Sequence, residues 1–191
     1  MVPERDFPLF PLGMVALPGE LVPLHIFEER YKAMVARCVE EESEFGIVWV
    51  ADDGLREVGC ACEIAEVLET LDDGRVNLIA RGTRVFRVQA RQDDLPYPAG
   101  TVEFLDDEEE VVDDEARAEA REVYAELVEQ ATDKTPDQDE LDAKQGLLDL
   151  RSESARLRLV TRLFRAAIKR LDFVERAQAR ARSNGKVRFP T

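Results

Sequence analysis

The sequence predicts an α+β chain: a β-rich, barrel-like domain with one helix over residues 1–105, then a helical domain over residues 106–191. Three observations predict this. The first hundred residues hold their apolar side chains in short runs separated by Pro, Gly and Asp-Gly signals, as strands and turns do. A block of five acidic residues, Asp106, Asp107, Glu108, Glu109 and Glu110, then interrupts the chain. Like charges repel one another and hold water, so the block reads as an exposed connector. Beyond it the apolar spacing is helical throughout.

Each element has its own signal. Residues 7–26 are rich in proline and apolar residues, which suits short strands broken by turns, and Pro18-Gly19 marks one of the turns. From Phe27 the pattern changes: Phe27, Tyr31, Met34, Val35, Cys38 and Val39 form the stripe of a helix over 28–42. Glu28 and Glu29 stand where carboxylates favour the helix dipole. Residues 45–50, Phe-Gly-Ile-Val-Trp-Val, form a continuous apolar run, which predicts a strand buried on both faces. Strands over 58–71 and 75–90 flank the hairpin signal Asp72-Asp73-Gly74. Gly82 inside the second arm predicts a bulge or bend. Val102 and Phe104 alternate in one more strand over 98–105.

In the helical half, Ala116, Ala120, Val123, Tyr124, Leu127, Val128 and Ala131 share one stripe. The run Thr135-Pro136-Asp137-Gln138 combines a capping box with proline at the first helical position. Two short helices are expected there, over 137–143 and 144–150. A long helix over 153–182 presents Leu157, Val160, Phe164, Ala167, Leu171 and Val174 as a heptad-like seam. Arg158, Arg162, Arg165 and Lys169 fall on its other side, and Asn184-Gly185 ends it.

With 191 residues and 45% hydrophobic content, the chain can build a real core. No apolar run nears the ~20 residues that span a bilayer, and nothing at the start reads as a signal peptide. A cytoplasmic location without membrane association follows as the expectation. Three cysteines without an export signal argue against a disulfide framework. Cys60 and Cys62 could suggest a metal, but only Cys38 and the lone His25 could join them, and in a strand they read as buried small side chains. No metal and no cofactor are expected.

The net charge of −15 is uneven: twelve Lys and Arg face three Asp and Glu from Arg151 onward, so this stretch carries +9 and residues 1–150 carry −24. An acidic body disfavours nucleic acid and anionic membrane, while the basic helix leaves RNA as the alternative partner. Residues 106–142 hold 17 acidic residues against Arg117, Arg121 and Lys134, enough to neutralise a basic neighbour, and Phe164 and Phe173 are the only aromatics for stacking in the long basic helix.

Pro8-Leu9-Phe10-Pro11-Leu12, Pro18-Gly19 and the run Pro23-Leu24-His25-Ile26-Phe27-Glu28 ending in Arg30-Tyr31 resemble the start of the Lon protease amino-terminal, substrate-binding domain. Phe45-Gly46, Val58-Gly59, Asp73-Gly74-Arg75, Gly82 with Arg84-Val85-Phe86-Arg87-Val88, and Pro96-Tyr97 extend the likeness. The helical half matches more loosely, at Lys144-Gln145, Leu147-Leu148 and Arg156-Leu157, so the resemblance covers roughly residues 6–171. It implies a PUA-like β-barrel followed by a helical domain. It also implies recognition of unfolded or specific polypeptides, in partnership with a protease or chaperone. No G-x-x-x-x-G-K-[ST] phosphate loop occurs, and none of the four serines and five lysines stands in a Lon-like Ser-Lys context, so neither ATPase nor protease activity is carried over.

The candidate sites follow. No catalytic residue is assigned: His25, between Leu24 and Ile26, reads as a structural side chain bonded to a backbone group, with no nucleophile or carboxylate pair beside it. Glu28, Arg30 and Tyr31 are accounted for by helix-start electrostatics. Residues 13–23 hold more apolar side chains than a loop-strand-loop stretch readily buries, so Met14, Leu21 and Val22 are assigned to polypeptide binding.

Overall fold

A computed structural model describes residues 3–92, 94–109, 114–130 and 138–184. Seven strands are found among them: β1 (Glu4–Leu12), β2 (Leu21–Ile26), β3 (Phe45–Ala51), β4 (Gly54–Leu55), β5 (Val58–Thr70), β6 (Val76–Gln92) and β7 (Ala99–Phe104). Helix α1 (Glu29–Glu41) lies between β2 and β3, and α2 (Asp114–Gln130), α3 (Gln138–Asp149) and α4 (Glu153–Asn184) follow the strands. The class is α+β. The sheet runs β1-β7-β6-β5-β3 and closes on itself, because β1 also pairs β3 in parallel, Leu9 to Gly46 through Leu12 to Trp49. All other pairings are antiparallel. Closure removes most edges, which is how a small β domain protects its backbone polar groups.

Alternation along the strands gives two cores. One holds Phe7, Leu9, Val48, Ala61, Phe86, Val102 and Phe104. Phe86 fills this space, and a Cβ on Gly46 would stand 2.4 Å from its ring, so only glycine fits there. Phe7 meets Phe86 and Phe104 edge-on at 5.3 and 5.6 Å, the arrangement aromatic quadrupoles favour. The second core packs the other face of β1 and β3, through Phe10, Phe45, Ile47 and Trp49, with Tyr31, Met34, Val35 and Cys38 of α1. β3 is thus buried on both sides, as its unbroken apolar run predicts.

Local chemistry sets the turns. Gly74 takes φ +79°, and the Asp73 carboxylate accepts from the Arg75 amide (3.2 Å) and Arg75 Nε (2.7 Å). The Arg75 amide, helped by its guanidinium, holds the Asp73 carboxyl below the usual carboxylate range. At Gly82 the β5–β6 register slips: Cys60 faces Val85, but Cys62 faces Gly82. One extra residue on β6 there makes the expected bulge. Helix α1 ends with Glu42 in the left-handed region, its amide bonded back to Cys38 O.

The helical half departs from expectation in three ways. Residues 138–149 form one helix, not two, and α3 continues through Gly146. The expected division at 105/106 also needs correction, because the contacts split the chain into Met1–Asp107 with Asp137–Arg151, and Glu108–Pro136 with Ser152–Thr191. The physical reason is that α3 packs on the barrel: Leu148 is buried in the second core, Gln145 Nε2 donates to Val58 O (3.1 Å), and Lys144 pairs with Glu20. In the other unit α2 runs along α4, joined by Arg117–Glu153 (2.8 Å). The buried line of α4 is Ser154, Thr161 and Ile168, with Leu157, Val160, Phe164 and Ala167 only half-buried beside it, so the expected seam is one residue off at alternate turns. The capping run 135–137, the end at Gly185, the side chains from Tyr124 to Ala131, and those of Leu171 and Val174 lie outside the described residues. Among the described residues no helix is long and apolar enough to cross a membrane, and no group of three or more His, Cys, Asp or Glu could hold a metal.

Candidate functional site

β2 lies on one edge of β6, from Leu21↔Arg81 to Ile26↔Val76, and the distal part of β5 lies on the other. β5 touches its second neighbour, β3, only through residues 60–62, so from Glu63 to Thr70 it is an edge. The three strands therefore make a ribbon with two open sides. Period-two alternation sends Val22, Leu24 and Ile26 inward with Leu78 and Ala80, and sends Leu21, Pro23 and His25 outward. Proline is tolerated in β2 because the strand is an edge.

The outward face is apolar where water would be expected to demand polarity. Leu21 is 62% exposed, Phe27 60% and Leu68 55%. Phe27 stacks on the His25 ring, centroids 5.8 Å apart. Leu21, Pro23, His25 and Phe27 thus form a strip about 20 Å long at ~3.4 Å per residue. A shallow groove beside it is lined by Pro23, His25, Leu68, Glu69 and Asn77. Across the groove floor, Asn77 Nδ2 donates to Glu69 Oε2 (3.1 Å), which fixes the amide so that Oδ1 faces His25 Nδ1 at 2.6 Å. A carboxylate can only accept and an amide oxygen can only accept, so His25 donates from Nδ1. A neutral imidazole with its proton on Nδ1 has Nε2 as its acceptor.

The loop before β2 is pinned at several points. Gly19 N donates to Gly82 O (2.8 Å) and Gly82 N to Glu20 O (2.9 Å). A Cβ on Gly82 would lie 2.2 Å from Leu17 O, so the close approach requires glycine. Glu20 accepts from the Leu17 amide (2.9 Å) and pairs with Lys144. These bonds set the register in which Leu21 faces out.

The assigned residues separate. Leu21 lies on the exposed strip. Val22, the next residue in the strand, is 2% exposed and belongs to the core. Its assignment to binding is corrected, because alternation turns it into the core. Met14 is half-buried and packs against the same core, next to the fully buried Val15 and Ala16. His25 is also corrected: it is exposed and bonds a side chain 52 residues away, not a backbone group. Glu28 caps α1 without a side-chain cap bond and holds Arg30 (2.9 Å), whose guanidinium lies over Tyr31, a structural role as expected. Cys38, Cys60 and Cys62 are buried and free. Sequence reasoning missed Phe27, given to the helix stripe, and Leu68, in the hairpin arm; the edge position that exposes Leu68 follows only from the strand order.

A comparison with protein-family models matches residues 6–169 to the ATP-dependent protease La (LON) substrate-binding domain. Among curated proteins, the Lon protease of Paraburkholderia phytofirmans is 28% identical over 113 residues, covering 54% of this chain and 14% of that protein. The chain spans only that small share of the relative's length. Among solved structures, a Lon N-terminal domain protein from Xanthomonas campestris aligns with a TM-score of 0.64 at 26% identity, covering 80% of this chain and 94% of that one. The N-terminal domain of a Mycobacterium avium complex Lon protease shares the fold, with a TM-score of 0.58 at 20% identity over 83% of this chain and 97% of that one.

Proposed function

The chain belongs to the Lon substrate-binding domain family, and from that premise we propose that it is a non-enzymatic cytoplasmic module that binds polypeptides on the open face of its β ribbon. The observation that carries the reading is the exposed strip of Leu21, Pro23 and Phe27 with Leu68 across the groove. Removing such surface from water is favourable by about 25 cal/mol per Å² and requires no particular sequence in the partner. Polar groups at the strip, His25 Nε2 and the Glu69 carboxylate, accept hydrogen bonds from a bound backbone or a basic side chain. The occupants this chemistry suits are unfolded polypeptides, passed to a protease or chaperone.

Binding to fluorescently labelled, unfolded casein tests the reading. Leu21→Ser combined with Leu68→Ser is expected to weaken binding about a hundredfold, through the loss of two apolar side chains of about 1.5 kcal/mol each when fully buried. The urea midpoint should barely move. Equal binding by the double variant would remove the ribbon as the site. The same preparation should neither hydrolyse ATP nor cleave the casein; turnover lost on a single substitution would overturn the non-enzymatic part.

A further inference from the structure

A second surface lies within the α2–α4 unit. A groove of about 400 Å³ is lined by Glu119, Arg158, Thr161, Arg162, Arg165 and Lys169. Glu119 is the only carboxylate among the described lining residues and is engaged by Arg165 (2.5 Å). No ion pair or hydrogen bond joins the side chains of Arg158, Arg162 or Lys169 to any described residue, so three cations of the groove are uncompensated among the described residues. An α2 acid neutralises this groove at Arg165, through Glu119, whereas the Arg117–Glu153 pair joins a base of α2 to an acid of α4. Thr161 lines the same groove at 4% exposure, and its hydroxyl has no hydrogen-bond partner. A buried hydroxyl without a partner is costly, so an occupant that reaches it relieves that cost.

We propose that this groove binds a carboxylate-rich segment of a polypeptide. Arg158, Arg162, Arg165 and Lys169 follow one another at four, three and four residues, a row about 16 Å long at ~1.5 Å rise per residue. Alternate residues of an extended chain are about 6.6 Å apart, close to the ~5–6 Å between helix neighbours three or four apart. Carboxylates on alternate residues therefore meet successive cations, and the guanidinium fork suits them in bidentate fashion. Among the described residues the lining holds no aromatic ring on which bases could stack, which favours a polypeptide over nucleic acid. The surface is distinct from the β ribbon, so either site can fail without the other.

The test uses the full chain and a labelled extended peptide of alternating Glu and Ser, followed by fluorescence anisotropy. Binding is expected to weaken about tenfold for each of Arg158→Gln and Arg162→Gln, the size of one charge-assisted hydrogen bond. It should also weaken as salt rises, since exposed charges are screened over about 10 Å at 0.1 M. Arg158→Lys, which keeps the charge but not the fork, should recover only part of the loss. Thr161→Val should weaken the peptide while raising the urea midpoint of the free protein, a combination that a purely structural hydroxyl does not give. Unchanged peptide binding by the Arg158→Gln/Arg162→Gln variant overturns the proposal. So does tighter binding of a single-stranded oligonucleotide of equal charge, or salt-sensitive self-association that blocks the peptide, which would place a second copy in the groove.

Discussion

Leu21 and Val22 are neighbours in sequence and opposites in environment, and the difference is the pleat. A one-residue step in a strand moves a side chain from one face to the other. Residues 13–23 read as a loose apolar stretch because Pro18, Gly19 and Pro23 obscure the alternation that begins at Leu21. The same alternation separates His25 from its apolar neighbours. Its partner, Asn77, comes from a strand 52 residues on, and no local signal could name it. The two positions therefore respond differently to one change. Val22→Ser removes buried methyls and leaves a hydroxyl in the core, where truncation and an unpaired polar group together cost about 2–4 kcal/mol. Leu21→Ser, on the solvent side, should stay within about 0.5 kcal/mol of the parent. Urea denaturation of the two variants measures both, and a larger loss for Leu21→Ser would reverse the faces assigned to β2.

Elements were legible where a period or a turn signal was local. The 3.6-residue stripe located α1, and Asp73-Gly74 located the β5–β6 hairpin, including the bulge at Gly82. A barrel-like domain was legible, but the pair that closes it was not, because the parallel pairing of β1 with β3 joins strands more than thirty residues apart and leaves no local pattern. Nor was the placement of α3, whose apolar residues would serve equally against a helix or a sheet. Leu148 decides it, being buried against the barrel with Leu141 half-buried beside it. Leu148→Ala should therefore lower the stability of the barrel unit by about 2–5 kcal/mol. The readout is the fluorescence of Trp49, the single tryptophan, which lies in the same core. Lys144→Met, which breaks a half-exposed pair with Glu20, should cost no more than about 1 kcal/mol. If Leu148→Ala left the Trp49 transition unmoved, α3 would not be part of the barrel's cooperative unit.

At the scale of the whole chain, the contacts define two units, and the reporter groups are unevenly shared between them. Trp49 and all three cysteines, Cys38, Cys60 and Cys62, lie in the unit built on the barrel. The thiols are buried. Burial pushes the Cys38 thiol up, and at Cys62 the hydrogen bond with Cys60, followed by burial, pushes it far up. Burial keeps a disulfide reagent away from all three, so none should react in the native state at neutral pH. A thiol whose acidity is suppressed only in the folded state also links stability to pH. For Cys38 and Cys62, below about pH 8.5 both states are protonated and stability is intact; above it these thiols ionise in the unfolded chain before they do in the native one, and stability falls as pH rises. In urea at pH 7.5, labelling of all three thiols should follow the Trp49 transition at a single midpoint, whatever the helix signal at 222 nm does. That coincidence is what one cooperative barrel core requires, since Trp49, Cys38, Cys60 and Cys62 share one hydrophobic cluster. Labelling of Cys38 ahead of Cys60 and Cys62 would show α1 opening before the strands and would divide the cluster that the alternation of β1 and β3 builds.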